Sequence, residues 1–377
     1  MHSHERYRVG IDIGGTFTDL VLIEDETGEQ AVGKIPTTPD DPSEAVEKGL
    51  DELLELEDVE AGQLKTIVHG TTLVTNALIE RRGARTALLT TEGFRDAIAI
   101  GTEHRYDMYD IFIEKPEPLV PRSLRYGVRE RSLDDGSVMV ELDEEQVRSI
   151  ATELKERAVG AVAVSFLHGF RNPAHEQRIA EILAEEAPEI TVSLSSEVSP
   201  ETREYERTST TVCNVYVRPL VEGYLRRLEE RLRKLRVEGS LYIMLSNGGT
   251  ASVKTASRFP IRLLESGPAA GALAAAFYGR ESGFPDVLSF DMDGRDDGQI
   301  LCGGGWRAAD QQRVRGRQGL PVQERLWIAG KDLRDRDDRG RRRRWLHRPR
   351  RRPGLAQGRA RERRRRAGTG LLRPRRR

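Results

Sequence analysis

Residues 8–19, RVGIDIGGTFTD, constrain the fold of this chain more than any other stretch. Val9, Ile11 and Ile13 alternate with Gly10, Asp12 and Gly14, the period-2 pattern of a half-buried strand. Gly14-Gly15 predicts a tight turn, and Phe17, Leu20, Val21 and Leu22 predict a second strand leaving it. Such a hairpin carries chemistry at Asp12, Thr16, Thr18 and Asp19. Glycines let backbone N–H groups approach a polyphosphate closely. Threonine hydroxyls bond phosphate oxygens, and a carboxylate ending the first strand suits a hydrated Mg2+. On the Gly-Gly pair alone, an ordinary hairpin with a polar turn reads equally well. Asp12 two residues before it and T-x-T-D after it favour the phosphate reading.

At 377 residues the chain has room for two domains. It contains no apolar run of about 20 residues, so no membrane span is expected, and no leader is read ahead of the first strand. Its two cysteines, Cys213 and Cys302, exclude a disulfide scaffold and fit a reducing cytoplasm. A net charge of zero hides an asymmetry. From Arg295 onward there are 28 Lys+Arg against 9 Asp+Glu, a balance of +19. Of 61 basic and 61 acidic residues in all, that leaves 33 and 52 before it, a balance of −19.

Along the acidic part, helices and strands alternate, which predicts α/β layers. Residues 31–35 read as a third strand, and Asp41-Pro42-Ser43 opens a helix running to about Leu56. The strand 65–68 runs into His69, Gly70, Thr71 and Thr72, at a strand-to-helix junction where ligands bind in open α/β sheets. An N-cap with a core-edge histidine is an equal reading of that cluster. Residues 95–121 are irregular, either facing a substrate or forming a surface excursion. Strands are expected at 85–89, 161–166, 190–194, 241–245 and 287–290, and helices at 142–158, 174–186 and 201–235. Glu and Arg at i,i+4 spacing give the last helix a solvated face. Ser246–Gly249 reads as a turn, and Gly267-Pro268 as the start of a small-residue helix, either a hinge between lobes or a buried core helix.

Taken together, these stretches carry a resemblance. RVGIDIGGTFTD resembles the first phosphate loop of the actin/Hsp70/sugar-kinase ATPases. With VHGTTLVTNALIERRG, TTEGFRD, VSFLHGFRNPAHE, NVYVRPLVEGYLRRLE, SNGG and ESGPAAG in this order, residues 6–292 resemble the hydantoinase A/5-oxoprolinase family. Related subunits of acetone and acetophenone carboxylases belong to it. The resemblance implies RNase H-like lobes closing on Mg-ATP, with an N-terminal domain over 6–195 and a second domain starting over 196–292. It implies ATP-dependent activation of a lactam or ketone carbonyl, followed in ring-opening members by attack of water. Asp12, Gly14, Gly15, Thr16, Thr18 and Asp19 would form the phosphate loop, and His69, Gly70, Thr71 and Thr72 would lie near the nucleotide. Gly267 would open the hinge helix, and Asp12 with Asp291 would serve catalysis and hold the metal. A hydantoinase B-type subunit is the implied partner. No His/Cys metal spacing is visible.

The resemblance breaks after Met292. The family's second phosphate loop reads roughly D-M-G-G-T-T-A-K, whereas this chain reads DMDGRDDGQ. The residues 293–377 are Arg-rich, hold one lysine (Lys331) and lack Phe and Tyr. GC-rich codons read out of register give that composition. Asp293–Gln299 written GAC GGG CGG GAC GAC GGC CAA, started one base later, yields T-G-G-T-T-A and then a lysine codon. DRGRRRRWLH at 338–347 similarly allows I-G-A-G-G-G-G-G-S-I, and AGTGLLRPR at 367–375 allows P-G-P-A-C-Y-G-R-G. Three family segments in one register and in order point to a frame change near codon 293. A basic arm for nucleic acid is the competing reading of this stretch, unsupported elsewhere in the chain. Its few apolar side chains do not offset the ~1–2 kcal/mol of backbone entropy each ordered residue costs, so disorder is expected. Three functions are carried forward: ATP-dependent lactam hydrolysis, the ATP-using part of a ketone carboxylase, and a non-catalytic truncated product.

Overall fold

The computed structural model describes residues 6–38, 40–102, 112, 115–284, 286–292 and 298–303, the side chains of 290–292 and 298–303 excepted. Internal contacts divide the chain at residue 333, and every described residue belongs to the first unit.

The hairpin forms as β1 (Tyr7–Ile13) and β2 (Phe17–Glu24), and β3 (Gln30–Pro36) extends it antiparallel. After α1 (Pro42–Leu56), β4 (Leu64–Thr71) returns parallel to β1. Helix α2 (Leu73–Ile79) leads to a second sheet built from β5 (Thr86–Thr91) and β6 (Arg125–Val128). Helix α3 (Glu144–Glu156), β7 (Ala161–Ser165), α4 (Ala174–Glu186) and β8 (Thr191–Leu194) complete it in the order β8-β7-β5-β6, all parallel. Alternating strand and helix force that outcome, because parallel neighbours need crossover helices. The long helix α5 (Glu204–Lys234) then carries the chain back. Strands β9 (Ser240–Met244) and β10 (Thr250–Ser252) join the first sheet, giving β10-β9-β4-β1-β2-β3. Helix α6 (Ser266–Glu281) and the antiparallel pair β11 (Val287–Met292) and β12 (Gly298–Gly303) follow.

Each sheet has its own core. Val9, Ile11, Leu20, Val46, Leu50 and Ile67 are fully buried around the first; Leu88, Leu89, Val162, Val164, Ile179 and Ile182 around the second. Burying each such side chain is worth roughly 1.5–3 kcal/mol. Helix α5 serves both, with Val212 and Val215 in the second core and Cys213, Tyr216, Val221 and Tyr224 in the first. The sequence predicts a solvated face for it. Arg226, Glu229, Glu230, Arg233 and Lys234 form that exposed face, while 15 of its 31 residues are buried, including Arg207, Thr208, Ser209, Thr211 and Asn214. Two of the charges near its C-terminus, Arg227 and Arg231, are clamped to another helix.

That clamp joins α5 to α1. Arg231 donates to Asp41 at 3.0 Å, Glu44 at 3.1 Å, Ser43 at 2.9 Å and Glu47, and Arg227 reaches Asp41 at 3.3 Å. Partial burial pushes the Asp41 carboxyl up, but hydrogen bonds from Ser43, Arg231 and Arg227 outweigh it and hold the pKa below its ordinary value. Asp41 also caps α1 by accepting from the Ser43 N–H. Arg231→Ala is therefore expected to lower stability by about 1–2 kcal/mol at neutral pH, more than an exposed pair contributes. Urea unfolding should show the gap closing as acid protonates these carboxylates.

Candidate functional site

The register of the first sheet aligns one row of side chains across four strands. Asp12 of β1 lies opposite Asp19 of β2 and Gly70 of β4, and Asp19 lies opposite Lys34 of β3. Cross-strand partners share a face, so Gly70, Asp12, Asp19 and Lys34 form a row on the side away from Ile11 and Leu20. Lys34 Nζ donates to Asp19 Oδ1 at 2.7 Å. Two neighbouring carboxylates repel, and Lys34 neutralises one of them. Gly70 leaves the space Asp12 needs: a Cβ there would lie 3.1 Å from Asp12 Oδ1.

Beyond this row, the chain turns through Gly14–Thr16 at the carboxyl ends of β1 and β4. The Gly14 N–H donates to Phe17 O at 2.9 Å, and Thr37 holds the loop from the side, its N–H on Thr16 O and its hydroxyl on Gly14 O. Neither Gly14 nor Gly15 takes a positive φ. Gly14 serves here by leaving space rather than by turn geometry, since a Cβ on it would meet Phe17 O at 3.2 Å. Gly15 and Thr16 are exposed at the tip.

Helix α6 brings its N-terminus to the same place. Fully buried Ser266 donates to Thr71 O at 3.3 Å, and a Cβ on Gly267 would lie 4.0 Å from Asp12 Oδ1. The preceding Glu265 sits at φ 61°, a left-handed conformation costly for any residue with a side chain. Behind the helix, Gly248 of the Ser246–Gly249 turn has φ +82°, and a Cβ there would strike Leu273 Cδ1 at 2.6 Å. That turn therefore seats α6. The first turn of a 16-residue helix offers free N–H groups and a positive dipole end beside the Asp12 row.

Not every expected residue joins this cluster. Thr18 is fully buried with its hydroxyl 3.0 Å from that of Thr37, because it lies one position out of phase with Asp19. Thr71 is buried, and its hydroxyl accepts the Leu73 N–H at 3.1 Å. Thr72 stays at the edge, donating to Ile13 O at 3.3 Å and accepting from Asn76. His69 faces the core: fully buried, with Nε2 2.7 Å from the Tyr224 hydroxyl and Nδ1 3.4 Å from Ile11 O. Thr18, His69 and Thr71 thus face away from the Asp12 row, with their polar atoms bonded inside the fold. Asp291 occupies the fifth position of β11, and its side chain lies outside the described residues. Sequence patterning missed Ser266 and Lys34; only the register and the helix approach reveal them.

Burial drives the His69 pKa down from 6.5 to about 4, only partly opposed by Ile11 O. The folded state thus holds a neutral imidazole where the unfolded chain binds a proton below about pH 6.5. Stability from this group is complete above pH 6.5 and lost as pH falls toward 4. Between pH 7 and 5 the loss should be about 2 kcal/mol. Urea unfolding of wild type and His69→Leu at both pH values checks it, with the variant expected to lose less on acidification.

Residues 8–187 match the model of the hydantoinase/oxoprolinase N-terminal region, and residues 207–294 that of hydantoinase/oxoprolinase. An uncharacterised protein of Methanocaldococcus jannaschii is 42% identical over 76% of this chain and 42% of its own length. The caprolactamase subunit alpha of Pseudomonas jessenii is 34% identical over 90% of this chain and 50% of its own. The crystal structure of the ATP-dependent caprolactamase from that organism superposes with a TM-score of 0.69 at 31% identity, covering 79% of this chain and 48% of that one. The nucleotide-free acetone carboxylase, from work on ATP-dependent acetone carboxylation, gives 0.73 at 26% identity over 79% and 44%. The chain thus spans about half the length of the relatives it matches or less. Among the described residues, no helix is long and apolar enough to cross a membrane. The α/β, actin-like fold agrees with these neighbours, and the chain belongs to the hydantoinase/oxoprolinase family.

Proposed function

We propose that this chain carries one half of a Mg-ATP site used to activate the carbonyl of a hydantoin-like or oxoproline-like lactam for ring-opening hydrolysis. One observation carries the reading: Asp12, Gly70 and the Gly267 end of α6 meet at the carboxyl ends of β1 and β4, beside the Gly14–Thr16 loop. Such edges and helix N-termini receive phosphates in α/β proteins. ATP supplies the phosphoryl group. The chain's own part is positioning: loop N–H groups and the first turn of α6 are the donors available to phosphate oxygens, and Asp12 would hold Mg2+ through its carboxylate. Among the described residues no group of three or more His, Cys, Asp or Glu is placed to hold a metal. That fits Mg2+, which keeps most of its waters and needs one or two carboxylates.

The second half of the site would follow β11, with Asp291 as its carboxylate. The hydantoinase/oxoprolinase match ends at residue 294, beside the codon where the register argument puts a frame change. We assign 6–195 to an N-terminal domain, 196–292 to the start of a second, and 293–377 to out-of-register translation. The chain as written is then expected to have negligible ATPase, because phosphoryl transfer needs charge stabilisation from both sides. A B-type partner subunit and a cytoplasmic setting go with this reading. The acetone carboxylase likeness supports a second one, in which a ketone takes the lactam's place.

Restoring one base near codon 293 and supplying a B-type subunit tests this. ADP release should rise with hydantoin, 5-oxoproline or caprolactam for the first reading, and only with acetone or acetophenone plus bicarbonate for the second. Release with none of these would overturn both.

A further inference from the structure

Two motif residues are left unused by the phosphate reading, and they touch each other. His69, between β1 and α5, and Tyr224, on α5, are both fully buried, with rings 5.8 Å apart. A carbonyl can only accept, so the 3.4 Å contact to Ile11 O requires a proton on Nδ1. Neutral His69 then presents a lone pair at Nε2, and the Tyr224 hydroxyl donates to it at 2.7 Å. The line runs from Tyr224 through His69 to the carbonyl just before Asp12. A second line from Asn76 through Thr72 ends on Ile13 O, just after Asp12. Both carbonyls flanking the metal-holding carboxylate are engaged by side chains of, or following, β4.

We propose that Tyr224 and His69 are positioning residues that fix the Ile11–Asp12 backbone, so that α5, which serves both cores, sets the aim of the phosphate loop. The functional meaning rests on the phosphate reading; the geometry does not. Neither residue touches the ligand, and both act through the strand.

The test uses the full chain without nucleotide. Hydrogen exchange is followed in peptides covering residues 9–17 and, as reference, 161–167. Tyr224→Phe removes one hydroxyl and should speed exchange of 9–17 about tenfold, with the reference unchanged. The double variant His69→Leu/Tyr224→Phe replaces both polar partners by apolar groups. It should restore the melting temperature, yet leave 9–17 fast, because the side-chain bond to Ile11 O is still missing. Nitrogen-15 spectra of wild type should show the Nδ1–H tautomer at His69. An Nε2–H tautomer would overturn the proposal. So would exchange at 9–17 that merely tracks global stability, or that does not respond to Tyr224→Phe. Should Mg-ATP fail to bind a register-restored chain while the exchange pattern holds, the phosphate reading falls and the positioning pair stands.

Discussion

Asp12→Ala in the register-restored protein is expected to cost at least about 10³ in kcat/KM while leaving the protein folded. The activity loss follows from removing the carboxylate proposed to hold Mg2+, an interaction worth several kcal/mol in phosphoryl transfer. Asp12 lies exposed beside Asp19, so its truncation leaves no buried cavity. Gly70→Ala should act in the same direction more mildly, because its Cβ would crowd Asp12 Oδ1 at 3.1 Å. ADP-release kinetics and thermal melts on the same samples separate the two effects. A large drop in melting temperature for Asp12→Ala would instead make the residue structural.

Glu176→Ala is expected to be the most destabilising single change at the second sheet, by about 3–5 kcal/mol. Glu176 is fully buried at the start of α4. Its Oε1 accepts from the Phe166 N–H at 3.0 Å and the Ser195 hydroxyl at 2.6 Å, and its Oε2 from the Ser196 N–H at 2.8 Å. Buried Arg207 closes the other side, donating to Phe166 O at 2.6 Å and Glu201 O at 3.3 Å. Burial lowers the Arg207 pKa, and the Glu176 and Glu204 charges push it back up. Truncating Glu176 strands two buried donors and a half-buried one, and removes a charge that Arg207 feels. Glu176→Gln keeps the shape and one acceptor oxygen, so it should cost less, about 1–2 kcal/mol. Urea unfolding followed by circular dichroism reads both. A loss below about 1 kcal/mol for the alanine variant would mean that water replaces the carboxylate.

How much of this was legible beforehand depended on periodicity. Alternating Val9, Ile11 and Ile13 gave β1 its place and faces, and the Asp41-Pro42-Ser43 start of α1 was readable because cap and proline act locally. The same alternation already implied that Thr18 and His69 face away from Asp12, a consequence that grouping them by motif concealed. Ser266, Lys34 and the Tyr224–His69 contact were not readable, since each depends on elements many residues apart meeting at one register. The polar burial of α5 escaped for another reason. Its Glu/Arg spacing reads as a solvated face, which Arg226, Glu229, Glu230 and Arg233 form, but only the facing carboxylates on α1 turn Arg227 and Arg231 toward that helix. The expected role of Asp291 lies outside the described side chains; of residues 293–377, expected to be disordered, 298–303 instead form β12 against β11, and the others lie outside the described residues.

The central claim is that Asp12 and its neighbours form half of an ATP site whose other half was lost with the reading register near codon 293. Calorimetric titration of Mg-ATP into two proteins, the chain as written and the chain with one base restored, tests it most directly. The account predicts saturable, Mg2+-dependent binding for the restored chain alone, abolished by Asp12→Ala. Equal binding by both chains, or binding that survives Asp12→Ala, would contradict it.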